Sequence, residues 1–132
     1  IHGTNDASAT ASVRGGAGGI GSQGANGGNG ADVTLIDAVG GTTIGSLTLS
    51  QTAIAGDAGG TNGGGDAGIA GNAFSSLTSI NTGSSKVSAY STADGGAGGG
   101  ETGGYQPSAG GTGTASVNII DANAIIAVAT AR

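Results

Sequence analysis

The stretch GGAGGIGSQGANGGNGAD, residues 15–32, has a period of three: every triplet counted from Gly15 begins with glycine. Two later stretches are similar, so the chain contains three glycine arms, at residues 15–30, 56–71 and 95–113. The arms hold 27 of the 32 glycines, and glycine occupies 16 of their 19 first triplet positions. This segregation predicts a repeated three-residue helix rather than a disordered linker.

A left-handed polyproline-II-type helix has three residues per turn and no internal hydrogen bonds. Glycine at every third position leaves one edge of such a helix without side chains, so neighbouring helices can approach until their backbones hydrogen-bond. Collagen is excluded because Pro107 is the only proline. We therefore expect laterally packed polyglycine-II arms. Their glycine edge comprises Gly15, Gly18, Gly21, Gly24, Gly27, Gly30, Gly56, Gly59, Gly65, Gly68, Gly71, Gly95, Gly98, Gly104, Gly110 and Gly113.

The segments between the arms are rich in Thr, Ser, Val and Ile, which predicts β-strands. The predicted strand segments are 7–13, 32–54, 73–92 and 114–131, and each of the last three contains a bend between two short strands. The pattern V-x-[L/I]-I-D-A occurs at 33–38 and again at 117–122. We interpret these two copies as corresponding places in an internal repeat.

These features predict an all-β, solenoid-like repeat in which strand pairs alternate with three polyglycine-II arms, with no α-helix. Residues 1–132 form one repetitive domain or a section of a longer solenoid. Leu, Ile, Val and Phe number only 22, so the expected core is small. The expected core residues are Leu35, Ile36, Leu47, Leu49, Leu77, Ile80, Ile119, Ile125 and Val128.

The charge of the chain argues against several partners. Three basic and eight acidic residues give a net charge of −5, which provides no electropositive surface for nucleic acid or anionic lipid. No apolar run approaches the roughly 20 residues of a helical membrane span. The chain has no cysteine, which leaves its redox compartment open.

Candidate chemical sites are few. Gly19–Gly24 matches the dinucleotide pattern G-x-G-x-x-G, but neither a strand precedes it nor a helix follows it. GGNGADVTL, residues 27–35, approaches a calcium-binding nonapeptide with Asp32 as a weak candidate ligand, although Thr34 stands where an aliphatic residue is needed. We interpret Asp32 as a polar residue entering a strand. His2 has no catalytic partner nearby in sequence, and we expect neither an enzyme nor a cofactor.

The remaining polar and aromatic residues allow two interpretations. Tyr105 interrupts the third arm and could contact a sugar or a neighbouring chain, or could close a local turn. Phe74 and Tyr90 are expected to pack at the edge of the strand layer. The carboxylates in or beside the arms are expected to face water and maintain solubility. These are Asp57, Asp66 and Asp94.

Triplet arms of the GGAGG type that alternate with Thr/Ser/Val strands resemble the glycine-rich β-strand-repeat surface proteins of bacteria. The arms alone are similar to the polyglycine-II bundles of an antifreeze protein and of some phage tail-tip adhesins. This resemblance covers the whole chain in style and rests on composition and triplet frame. It implies a large secreted adhesin or fibre protein.

Both ends of the chain are strand-like and show no polar cap, which predicts association of open edges. The expected function is therefore structural: a subunit of a secreted extracellular or cell-surface filament whose partners are copies of itself. The assembly residues would be Val13, Ile125, Ile126 and Val128. One alternative is an adhesin that binds surface glycans through the Tyr105 region, and a minor alternative is an ice-binding protein.

Overall fold

The computed structural model describes residues 1–102, 106–120 and 123–132. These residues form twelve β-strands and no helix. The strands are β1 (His2–Gly3), β2 (Ala7–Arg14), β3 (Gly21–Ser22), β4 (Val33–Ile36), β5 (Thr42–Thr43), β6 (Ser46–Ile54), β7 (Thr61–Asn62), β8 (Ala73–Ile80), β9 (Lys86–Asp94), β10 (Glu101–Thr102), β11 (Gly113–Ile120) and β12 (Ala124–Ala131).

The strands stack in parallel, and the chain winds through about three coils of a β-solenoid. The long sheet has the order β12-β9-β6-β2, and the short sheet has the order β11-β8-β4. Strands that follow one another in the chain lie in different sheets, on opposite sides of the core. Each strand pairs with the equivalent strand of the next coil: Ala7 pairs with Leu47, and Leu47 with Val87. The expected all-β solenoid without α-helix is therefore confirmed.

The core lies between the two sheets and follows the two-residue alternation of the strands. Leu47, Leu49 and Leu77 are fully buried, as expected from the sequence. Four expected core residues are not buried. Ile36 and Ile80 are 62% and 66% exposed because they lie on the outer face of the short sheet. Ile125 and Val128 are 43% and 40% exposed because β12 is an edge strand.

Small and polar residues fill much of the remaining core, and the sequence analysis did not identify them. The Gln51 side chain is completely buried; its Nε2 donates to Ser75 Oγ at 3.0 Å, and its Oε1 accepts the Ala38 N–H at 3.1 Å. Ser75 and Ser91 are linked at 2.7 Å between their hydroxyl oxygens. Since a buried polar group without a partner is costly, this network satisfies the amide and fixes its position between the sheets.

Each glycine arm continues directly from a strand of the long sheet and folds back on itself. In the first arm, the Gly28 N–H donates to Gly19 O at 2.8 Å and the Ala31 N–H donates to Gly16 O at 3.0 Å. The tip of this arm turns through Gln23 and Gly24, both with positive φ (55° and 85°). The sequence left the path of the arms open, and the structure shows two antiparallel legs in each of the first two arms.

Stacking of the arms produces a two-layer assembly of legs, which we call the glycine raft (residues 15–31, 55–71 and the described part of 95–111). Donors in the first arm recur every third residue: Gly15, Gly18 and Gly21 donate to carbonyls of the second coil at 2.8–3.0 Å. Bonds also cross between the layers of adjacent coils, as from Gly56 N–H to Ala31 O at 2.8 Å. The three-residue spacing of these lateral bonds is that of packed polyglycine-II helices.

The repeat length is 40 residues, which shifts two sequence correspondences. Gly56 lies in register with Gly16 and not with Gly15, so the triplet frame of the second arm is displaced by one residue relative to the other two. Val33 pairs with Ala73, which pairs with Gly113, whereas Val117 pairs with Leu77. The two V-x-[L/I]-I-D-A copies therefore stand four residues apart in the coil, and the expected correspondence is wrong.

One column of glycines tests how closely the coils pack. A Cβ atom on Gly59 would lie against the carbonyl oxygen of Gly19, inside van der Waals contact, whereas a Cβ on Gly19 would have no heavy atom within 4 Å. We expect Gly59→Ala to destabilise the fold by about 2 kcal/mol or more, because backbone would have to move. Gly19→Ala, one coil earlier, should change stability by no more than about 1 kcal/mol. Urea denaturation measures both, and equal losses would contradict this packing.

Candidate assembly interface

The two outermost strands of the long sheet hold the four residues proposed for assembly. Val13 lies in β2 and is 45% exposed; Ile125, Ile126 and Val128 lie in β12 and are 43%, 39% and 40% exposed. β2 and β12 are at opposite ends of the strand order, so Val13 does not lie beside the other three. The exposed apolar side chains therefore form two separate patches, one at each end of the stack.

Burial within one column shows what an added strand would cover. Val13 is in register with Ala53, and Ile125 is in register with Val87; both partners are completely buried. The same inward columns are thus sealed in the middle of the stack and open at the two end strands. Among the described strands, the outer edges of β2 and β12 have no paired strand. Such free edges are templates for further strands.

The glycine edge named from the sequence faces different neighbours in the three arms. In the first arm it faces the return leg: a Cβ on Gly15 would lie 2.6 Å from Ala31 O. In the second arm it faces the preceding coil, as Gly59 does toward Gly19 O. The other edge glycines that meet backbone in this way are Gly18, Gly21, Gly27, Gly30, Gly56, Gly65, Gly68, Gly71, Gly95, Gly98 and Gly113.

Three members of that edge differ. Gly24 has a φ of +85° in the tip turn and no heavy atom within 4 Å of a built Cβ. Gly110 has its nearest neighbour, Gly96 O, at 3.3 Å. Gly104 lies outside the described residues. Gly24 is thus required by backbone conformation rather than by close packing.

Asp and Asn side chains connect successive coils in one direction. In the described chain, seven such side chains accept a backbone N–H from the following coil at 2.6–3.0 Å. The acceptors are Asp6, Asn26, Asn29, Asp32, Asp37, Asp57 and Asn72. On the outer faces of a two-layer raft, backbone donors have no third layer to bond to, and these oxygens satisfy them.

This ladder gives roles to carboxylates that the sequence analysis placed in water. Asp32 Oδ1 accepts the Asn72 N–H at 2.6 Å, and Asp57 Oδ1 accepts the Ala97 N–H at 2.8 Å. Asp57 also lies 3.9 Å from the Arg14 guanidinium, and Asp94 lies 3.6 Å from that of Arg132. Asn26, Asn29 and Asp32 follow one another at three-residue intervals, a signal that the sequence contained.

The residues considered for ligand chemistry are dispersed. Within the described ranges, no three His, Asp or Glu side chains lie close enough together to hold a metal ion. The exposed His2 has its Nδ1 2.6 Å from Thr42 Oγ1. Phe74 and Tyr90 are 38% and 37% exposed on outer sheet faces. No helix in the described part of the chain could span a membrane.

The region proposed for glycan contact is only partly described. Tyr105 lies outside the described residues. An open cleft of about 500 Å³ at the tip of the arms is lined by neighbouring residues of the same tip. These are Ile20, Gly60, Thr61, Asn62, Gly100, Glu101 and Thr102. Two of the seven lining residues are glycines, and the Glu101 Oε1 atom is buried, so the cleft presents few polar side-chain groups to a ligand.

Hydroxyl groups form one complete column on the outer face of the long sheet. Ser12, Thr52, Thr92 and Thr130 are in register across all four strands. The column beside it contains Thr10, Ser50, Tyr90 and Val128. Register therefore brings together hydroxyls that are scattered in the sequence, but the aromatic and aliphatic side chains interrupt the array.

Comparison with known proteins adds no assignment: no family model, curated protein or solved structure gives a significant match to this chain.

The Asx ladder can be tested with a matched pair on one face of the raft. Asn29 Oδ1 accepts the Ile69 N–H at 2.9 Å, whereas the exposed Asp66 side chain accepts no hydrogen bond. We expect Asn29→Ala to lower the free energy of unfolding by about 1 kcal/mol and to speed hydrogen exchange at the Ile69 amide. Asp66→Ala should leave both nearly unchanged. Equal effects of the two substitutions on Ile69 exchange would contradict the ladder.

Proposed function

We propose that this chain is a structural element of an extracellular filament or surface fibre that grows along the solenoid axis. The observation that carries the proposal is the column arrangement: inward side chains sealed within the stack are open on β2 and β12, whose outer edges are unpaired among the described strands. Because each coil contacts only its neighbours, further strands can be added without changing the coils already formed.

The chemistry of the outer surfaces supports a structural role over the catalytic one that we do not expect. Backbone hydrogen bonds between coils supply most of the polar contacts, and the titratable side chains are used in ladders and ion pairs between coils. The net charge of −5 favours solubility in a secreted setting and disfavours nucleic acid as partner. The added strands can come from a continuation of the same chain or from another copy.

The two alternatives have weaker support. A glycan-binding adhesin would use the arm tips, where the cleft is open and lined largely by glycine and small residues. Ice binding requires a flat and regular hydroxyl array, and Tyr90 and Val128 interrupt it on the long sheet. The fibre is therefore the function that we propose.

Electron microscopy of the purified chain at physiological salt tests the proposal. We expect elongated particles that lengthen with protein concentration and whose axial repeat is the strand spacing of about 4.8 Å in fibre diffraction. Sedimentation of the same samples gives the size distribution in solution. A single species of monomer mass at every concentration would contradict growth by addition of copies.

A further inference from the structure

The end of the stack that contains β12 has a step. The long sheet has four described strands and the short sheet has three, so β12 extends one strand beyond β11. The inward side chain of Ile125 is 43% exposed, whereas its register partner Val87 is completely buried. The outer edge of β11, Gly113–Ile120, has no paired strand among the described residues. β11 and β12 have eight residues each.

Simple continuation of the layers by a second copy does not fit this step. If β2 of a second copy paired with β12, its β4 would stand two strand spacings from β11 rather than one. The short sheet would then lack one strand at the junction, and the inward face of β12 would still be exposed there. Unlike the coils within the molecule, two copies stacked in this way would share only one continuous sheet.

We propose instead that two copies join at this end by exchanging their β12 strands around a twofold axis parallel to the strands. Each β12 then lies beside the outer edge of the partner copy's β11, and the two steps fill one another. The axis exchanges the long and short sheets and preserves strand direction, so β12 and the partner's β11 run antiparallel. Donor and acceptor lie at the same end of the molecule, so the interface is isologous.

The side chains match in this arrangement. Antiparallel pairing that keeps inward residues opposite inward residues places Ile125 opposite Ile119 and Ala127 opposite Val117. It also places Ala129 opposite Ala115, and Ala131 opposite Gly113, so every inward pair is apolar or small. The outward residues Ile126 and Val128 meet the polar Asn118 and Ser116 at the surface. β-strand addition of this kind gains main-chain hydrogen bonds as well as side-chain burial.

Sedimentation equilibrium of the wild type and two adjacent variants tests this joint. The inference rests on the proposed fibre because the dimer would be its building unit. Ile125 and Ile126 have similar exposure, 43% and 39%, but opposite faces. Ile125→Asp would bury an unpaired carboxylate and should weaken dimerisation by about 100-fold or more. Ile126→Asp should leave the dimer largely intact. Circular dichroism checks that both variants fold.

Disulfide trapping separates the failure of the joint from the failure of the fibre, because the chain has no native cysteine. Thr130→Cys protein is mixed with Thr114→Cys or with Ser12→Cys protein. The exchanged joint predicts fast crosslinking of Thr130→Cys with Thr114→Cys only. Crosslinking with Ser12→Cys only, together with filaments, would overturn the joint and support layered growth. Dimers crosslinked through Thr114→Cys that never lengthen would support the joint and contradict the fibre, and monomers without crosslinks would contradict both.

Discussion

The hydrogen bond between the backbones of successive coils is the interaction on which the rest of this structure depends. It recurs at a spacing of 40 residues along the strands and at nearly the same spacing along the glycine arms, where Gly15 bonds to Ile54 O and Gly27 to Asp66 O. A chain with so few large aliphatic residues cannot rely on a conventional core. Parallel stacking instead satisfies the backbone of each coil with that of the next, and the side chains adapt to this register.

The same coil contains two kinds of interior, and glycine separates them. Where the strands carry Leu and Val, the two sheets are held apart by side chains at roughly 10 Å, and no backbone bond crosses the core. Where glycine recurs, the two legs approach until Gly68 donates to Gly59 O at 2.9 Å and Gly71 to Gly56 O at 3.0 Å. The oily interior is stabilised by burial and the raft by lateral hydrogen bonds. Glycine loses much conformational entropy on ordering, which explains why the raft depends on being attached to the sandwich.

Sequence reasoning predicted the elements that depend on local pattern. The triplet period of residues 15–32 predicted the three-residue spacing of lateral bonds, and the Thr/Ser/Val segments predicted the strands. It did not predict register, because a single residue of displacement changes which face is buried. Ile36 and Ile80 were assigned to the core on hydrophobicity alone, whereas Gln51 and Ser75 fill it because the register places them inward. The folded-back arms could not be predicted, since straight and bent polyglycine-II helices have the same period.

The candidate interface was predictable only in part for a related reason. Exposed apolar side chains at the chain's strand-like ends pointed to β2 and β12, but the step between the two sheets is a property of topology. It arises because consecutive strands alternate between sheets, so any such chain that begins and finishes a described stack in the same sheet has one strand more on that side. An end of this shape is poorly matched to its opposite end but well matched to a rotated copy of itself. In a two-sheet solenoid, the parity of the strand count therefore influences whether copies stack in one direction or pair end to end.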